Sequence, residues 1–119
     1  VIVWEAMMAA AKYKLYNLVA IIDCNKIQLD GRVDEIMPME NLHARVANFG
    51  WNVVECDGHD FDEIHEAFTN ADNCKDKPTC IIAHTIKGKG VSFMEDEVSW
   101  HGTAPNDEQT EEAVKELVR

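Results

Sequence analysis

The segment Asn17-Leu18-Val19-Ala20-Ile21-Ile22-Asp23-Cys24-Asn25-Lys26-Ile27 carries an apolar run straight into oxygen-bearing side chains. Such a run reads as a strand, and in an open parallel sheet ligands bind beyond the carboxyl ends of the strands. Asp23, Asn25 and the carbonyls after them then face a ligand crevice. Asn25 offers a neutral side-chain oxygen, which suits a hard cation such as Mg2+ that a phosphate also holds. The same residues read equally as a plain strand and turn, because Asp and Asn favour turns. A second polar stretch is Lys87-Gly88-Lys89-Gly90. Glycine lets the backbone approach an anion and lysine supplies a point charge. A Gly-x-Gly is a weak signal alone, and no full Walker or Rossmann pattern accompanies it.

The elements that must position these residues alternate. Val3 to Leu15 reads as an Ala/Met-rich helix with Trp4, Met7, Met8, Ala11 and Leu15 near one face. Leu18 to Cys24 is a strand apolar on both faces, the mark of a central parallel strand. A long connection from Asn25 to Glu40 carries turns at Asp30-Gly31 and Met37-Pro38. Asn41 to Phe49 is a helix closed by Gly50, and Trp51 to Cys56 is the next strand. Asp60 to Asn73 is a helix with Asp60 as N-cap and Glu63 three residues on. Its apolar stripe is Phe61, Ile64, Ala67, Phe68 and Ala71. Pro78 to His84 is a third strand, again apolar on both faces. Thr85 to Pro105 is a second long loop, and Asn106 caps a last acidic helix through Val118. This order predicts an α/β fold, a parallel sheet with helices on both faces. Two long loops follow the first and third strands and open on the same carboxyl edge, which is an independent pointer to a ligand site there. His84 ends a strand and can face that edge. His43 and His65 fall on helix patterns as solvated residues, and His59 belongs to a turn.

The chain has 119 residues, 46% of them hydrophobic, and a formal net charge of −11. It is one domain at most, globular rather than disordered. The acidity argues against nucleic acid as a partner, since phosphate neutralisation needs clustered Lys and Arg. Over half the excess lies between Glu95 and Arg119, where eight acids face two bases, a solvated helix face. Cys24, Cys56, Cys74 and Cys80 show no Cys-x-x-Cys spacing, so a zinc site is poorly supported. Cys24, Cys56 and Cys80 sit in or at the end of apolar strand runs and read as buried free thiols, which fits a reducing cytoplasm. No apolar run is long enough to span a membrane. The chain begins without Met and inside a helical pattern, as a fragment of a longer protein does.

Several blocks recur in a recognisable order. They are Trp4-Glu5-Ala6, Tyr13-Lys14-Leu15, the strand into Asp23-Cys24-Asn25, Phe49-Gly50-Trp51 and Asp57-Gly58-His59-Asp60. Ala83-His84-Thr85-Ile86-Lys87-Gly88-Lys89-Gly90 and Ser99-Trp100-His101-Gly102 follow. Over essentially the whole chain they resemble the thiamine-diphosphate-binding domain of transketolase. The resemblance implies the thiamin diphosphate-binding fold, with residues 1–119 forming part of the diphosphate-binding (PP) domain. It implies thiamine diphosphate and Mg2+ (or Ca2+) as cofactors. Asn25 and the carbonyl of Ile27 are the implied metal ligands. The family's third ligand, the Asp of a Gly-Asp-Gly, falls ahead of Val1. His101 is implied as a catalytic residue that also touches the cofactor's phosphate region and the donor substrate. Lys87 is implied near the cofactor in some members, with Lys89 a weaker candidate. Glu5 is implied at the subunit interface. Cys24 and Thr103 depart from residues common in the family.

The activity implied is transfer of a two-carbon ketol unit from a ketose phosphate to an aldose phosphate. The partner is a homodimer mate or a complementary subunit carrying the pyrimidine-binding domain. The catalytic Glu that activates the cofactor belongs to that domain. The rival enzyme reading is the N-terminal subunit of a split transketolase-like enzyme, such as a deoxyxylulose-phosphate synthase. A rival of another class is a non-catalytic module that keeps the fold.

Overall fold

Thr79-Cys80-Ile81-Ile82-Ala83-His84 is the most continuously buried run in the computed structural model, which describes residues 2–118. The ends of the expected 1–119 range, Val1 and Arg119, lie outside the described residues. In chain order the elements are α1 (Val3–Lys12), β1 (Val19–Cys24), β2 (Ile27–Gln28), β3 (Gly31–Arg32), α2 (Val33–Ile36) and α3 (Leu42–Asn48). Then come β4 (Asn52–Asp57), α4 (Phe61–Asn73), β5 (Thr79–His84), a 3-10 turn (Val98–Trp100) and α5 (Asp107–Leu117). They group into two compact units, one of residues 1–24 with 41–85, the other of residues 25–40 with 86–119.

The first unit holds a three-stranded parallel sheet in the order β1-β5-β4. Side chains alternate across β5, as the period of two requires. Cys80 and Ile82 pack with Met7 and Ala10 of α1, Val46 of α3 and Trp51. Ile81 turns the other way, onto Cys56 and Ala67 of α4. Helices on both faces of a parallel sheet are thus as expected, but the strand roles are not. Among the described residues β5 is central and β1 has one neighbour, with Ile21 on its α4-side face 60% exposed. An all-apolar strand reports hydrophobicity on both faces, not which neighbours the sheet supplies. The stripe of α4 is likewise narrower than its spacing suggests. Ala67 and Ala71 are buried, while Phe61, in the first turn, is 86% exposed.

α1 stops at Lys12, short of Leu15. Lys14 adopts a left-handed φ of 51°, Lys14 N–H donates to the Ala11 carbonyl, and Leu15 N–H donates to Ala10. This is a Schellman ending with lysine at the position glycine usually takes. Gly50 closes α3 as expected, at φ 86°. The N-cap Asn41 is itself left-handed (φ 53°) and makes no side-chain cap. Asp60 caps α4 by accepting from Asp62 and Glu63 N–H, but Glu63 reaches the Asp57 N–H and leaves the expected box half made.

The second unit replaces a plain loop with local order. β2 and β3 form an antiparallel hairpin followed by the short α2. α5 begins in a full capping box between Asn106 and Gln109 and ends at Leu117, near the expected boundary. Among the described residues no helix is long and apolar enough to cross a membrane.

Candidate functional site

The backbone after β1 turns at once. Asn25 Oδ1 accepts the Ile27 N–H at 2.9 Å, and Lys26 between them sits at φ 63°. This Asx turn leaves one lone pair on the Asn25 oxygen. Val33 N–H donates to the Lys26 carbonyl at 2.9 Å. In an antiparallel ladder bonded and non-bonded pairs alternate, so the registered pair Ile27–Arg32 is a non-bonded one. The Ile27 carbonyl therefore turns away from β3 while its side chain is buried. Both oxygens proposed from the sequence are hard, neutral donors on one short turn, a set that fits Mg2+. Among the described residues no three His, Cys, Asp or Glu side chains are arranged to hold a metal.

The loop after β5 is held from several sides. Lys87 gives its carbonyl to the Asp96 N–H (2.9 Å) and is itself half-buried. Gly88 has φ 73°, and a Cβ there would lie 2.5 Å from the Met94 carbonyl oxygen, so glycine is required at this crossing. Lys89 is taken up by Glu95 (3.5 Å), whose other role is to accept the Gly90 N–H at 2.9 Å. Ser92 donates through both its N–H (2.6 Å) and hydroxyl (2.8 Å) to Glu116 of α5. Trp100 donates its indole N–H to the Phe93 carbonyl at 2.9 Å, with the two rings 5.6 Å apart.

That packing sets up His101. Its N–H donates to the Val98 carbonyl at 2.9 Å, and Gly102 follows at φ 85° with open space where a side chain would be. Its Nδ1 is buried and has no hydrogen-bond partner. Buried polar atoms are almost always paired, and the exceptions call for a ligand, water or strain to explain them. The residue expected to touch a phosphate or a donor sugar thus carries an open hydrogen-bonding position, which fits an oxygen-rich ligand.

In the first unit, β1 and β5 end side by side, Cys24 registered with His84. Both long connections therefore leave the sheet at one carboxyl edge, as the alternation required. Asp23 accepts a hydrogen bond from the Thr85 hydroxyl and ties the two exits together. Glu5 is exposed in the first turn of α1. His84 does not stand open. Its Nε2 lies 2.7 Å from Glu55 Oε2, and His43 Nδ1 lies 2.8 Å from Glu55 Oε1. The His84 hydrogen bond, then that of His43, holds the Glu55 carboxyl below its ordinary range. His43 is thus half-exposed but bonded, not simply solvated. The available signal was Glu55 itself, a lone acid inside Val53-Val54-Glu55-Cys56. His59 sits in a turn, its N–H on Asp57. All four cysteines are free, and burial pushes the Cys80 thiol up to about 11.

The family described as "Transketolase, thiamine diphosphate binding domain" matches residues 1–118. The chain is 46% identical over 115 residues to a subunit of the apulose-4-phosphate transketolase of Phocaeicola vulgatus, covering 97% of this chain and 41% of that protein. It is 43% identical to the 6-deoxy-6-sulfo-D-fructose transketolase subunit SqwG of a Clostridium species, covering 97% and 42% respectively. The crystal structure of transketolase from Campylobacter jejuni superposes with a TM-score of 0.85 at 34% identity, covering 94% of this chain and 17% of that one. The chain therefore spans about two fifths of the length of the two subunits it matches.

Proposed function

This chain belongs to the transketolase family through its thiamine-diphosphate-binding domain, and from that premise we propose that it supplies the diphosphate-holding part of a ketol-transferring enzyme. The observation that carries the reading is His101 Nδ1, buried and unpartnered on a loop that Ser92 and Trp100 anchor. A diphosphate oxygen or a donor hydroxyl would complete it. When bound, thiamine diphosphate supplies an acidic thiazolium carbon that serves as the nucleophile, and the protein holds and orients it. On this reading Asn25 Oδ1 and the Ile27 carbonyl hold Mg2+, for which Ca2+ can substitute. Lys87 sets a positive charge against the phosphates. His101 donates to a phosphate oxygen, or holds a proton at the donor's hydroxyl. Residues 1–119 act as part of the diphosphate-binding domain, in the cytoplasm, on sugar phosphates of the pentose phosphate type.

Two relatives bear the word subunit in their names. This favours the split arrangement, in which a complementary subunit carries the pyrimidine-binding domain, over a homodimer of full-length chains. Glu5, exposed on α1, then serves the subunit interface.

The test is Asn25→Ala in the whole natural protein with its partner, with thiamine diphosphate titrated by tryptophan quenching. Disturbing even the neighbours of metal ligands weakens metal sites by about 10–100-fold. Affinity at limiting Mg2+ is expected to fall at least that far and to recover partly in excess Mg2+. Asn25→Asp keeps an acceptor for the Ile27 N–H and controls for the lost turn. Unchanged affinity at limiting Mg2+ removes Asn25 from the site.

A further inference from the structure

The proposed ligand-holding groups of the second unit lie on two segments far apart in sequence. Asn25 and Ile27 belong to the hairpin segment, Lys87 and His101 to the loop between β5 and α5. Something must hold those segments in a fixed relation, because a metal and a phosphate shared between them tolerate little misplacement.

One residue meets both. Asp96, 64 residues from Arg32, takes its guanidinium in a two-pronged grip, with Nη1 to Oδ1 at 3.2 Å and Nη2 to Oδ2 at 2.6 Å. Nη2 also reaches the Asp96 carbonyl at 3.4 Å. Arg32 is the registered partner of Ile27 across the hairpin. The Asp96 N–H in turn holds the Lys87 carbonyl at 2.9 Å. Asp96 can do both because it sits at φ 57°, a left-handed conformation that Asp and Asn adopt more readily than other side chains. A continuous line of contacts thus runs Asn25 Oδ1, Ile27, Arg32, Asp96, Lys87.

The charges agree with the geometry. The hydrogen bond from Arg32 holds the Asp96 carboxyl low, with Lys26, the neighbour of Asn25, adding in the same direction. The Arg32 guanidinium is held high, first by its bond to Asp96. Isolated surface ion pairs contribute little to global stability. This one has the features that make an exception for local order: a planar fork on a carboxylate, and two loops joined that have no helix or sheet in common.

We propose that Asp96 is a positioning residue, which with Arg32 latches the Asn25–Ile27 turn to the Lys87 loop and so preorganises the diphosphate and metal site. The inference rests on the cofactor reading above. It predicts that breaking the latch raises the open population of the two loops, and apparent affinity falls in proportion to the competent fraction that remains. A competent fraction of a tenth to a fifth gives a loss of about five- to tenfold.

The test uses Asp96→Asn, Arg32→Gln, the double variant and the exchange Arg32→Asp/Asp96→Arg in the whole natural protein with its partner. Asn tolerates φ 57° as Asp does, so Asp96→Asn removes the charge and spares the turn. Two readouts are taken, amide hydrogen exchange of residues 26–33 and 87–96 without cofactor, and Mg2+-supported binding of thiamine diphosphate. Faster exchange in both segments is expected in each single variant. The expected binding pattern is a five- to tenfold loss, a double variant no worse than either single one, and partial recovery in the exchange. Unchanged exchange in Asp96→Asn overturns the latch whatever the cofactor does. Wild-type affinity in the single variants, or additive losses in the double, overturns its positioning role. Absence of Mg2+-dependent binding in the wild type overturns the cofactor reading itself, and the role with it.

Discussion

His101→Leu separates a ligand-facing histidine from a structural one, because the two readings give opposite signs for stability. Nδ1 is buried without a partner. Leaving such an atom unsatisfied costs about 1–3 kcal/mol in the unliganded protein. The residue as a whole is only half-buried, which places the cost at the lower end, about 1 kcal/mol. The bond that fixes the backbone here, His101 N–H to Val98, uses no side-chain atom and survives the substitution. Leucine is close in volume, so neither a cavity nor overpacking is introduced. The variant should therefore be more stable than wild type by about 1 kcal/mol without cofactor, a rise of about 3–5 °C in Tm for a chain of this size. Function should move the other way. On the proposed reading one lost hydrogen bond weakens thiamine diphosphate by about 1 kcal/mol, since a metal and other contacts would still anchor it. The donor sugar has fewer anchors, so its kcat/KM should fall further than the cofactor affinity. Calorimetric melting of the cofactor-free chain, with steady-state kinetics of the whole natural protein and its partner at saturating acceptor, measures both. Loss of stability by more than about 0.5 kcal/mol would refute the argument, as it would mean the ring is satisfied by the fold. A donor kcat/KM within twofold of wild type would make it a loop residue.

Glu55→Gln should flatten the acid limb of stability. The Glu55 carboxyl is held low by His84 and then His43, so its contribution is present above the unfolded carboxylate pKa, roughly 4.3, and is lost as pH falls through the lower folded value. Urea unfolding followed below that pH checks it, and an unchanged acid slope in the variant removes the cluster from the account. The chain by itself should be inactive in ketol transfer and should self-associate, because Val3, Met8, Tyr13, Leu15, Tyr16 and Leu18 are exposed on and after α1. Met8→Lys should reduce association in sedimentation velocity, and ketol transfer by the isolated chain with cofactor and Mg2+ would sink the idea.

Element type was legible wherever burial has a period. The strand at 79–84, the caps at Asp60 and Asn106 and Gly50 after α3 follow from local chemistry that no distant residue overrides. What failed were statements that need neighbours. β1 reads as central because Val19 to Ile22 are apolar, and among the described residues only β5 pairs with it, a fact that strand composition does not carry. α1 runs past Lys12 on propensity alone, and it stops because Lys14 accepts a left-handed conformation that nothing in its type announces. The β2–β3 hairpin has two-residue strands, too short to show alternation, although Asp30-Gly31 marked its turn.

The site divides along a similar line. A polar side chain in an apolar run is a local exception, and sequence finds it. Asp23 and His84 are exceptions of that kind, Asn25 directly follows one run, and Glu55 is one that was passed over, whereas Lys87, Lys89 and His101 stand out by their motifs. Sequence cannot say which of them the fold satisfies internally. Thr85 takes up Asp23, Glu55 takes up His84, and Glu95 takes up Lys89. Each of those looks like a ligand group until its partner is known. Asn25 spends one lone pair on Ile27 and keeps another, while His101 Nδ1 has none of its bonding capacity met. Folding thus sorts such groups by their remaining hydrogen-bonding capacity, which Asn25 and His101 keep. The Arg32–Asp96 latch shows the converse. An arginine beside a turn and an aspartate in an acidic loop are ordinary in their local settings, so only the 64-residue closure gives them a role.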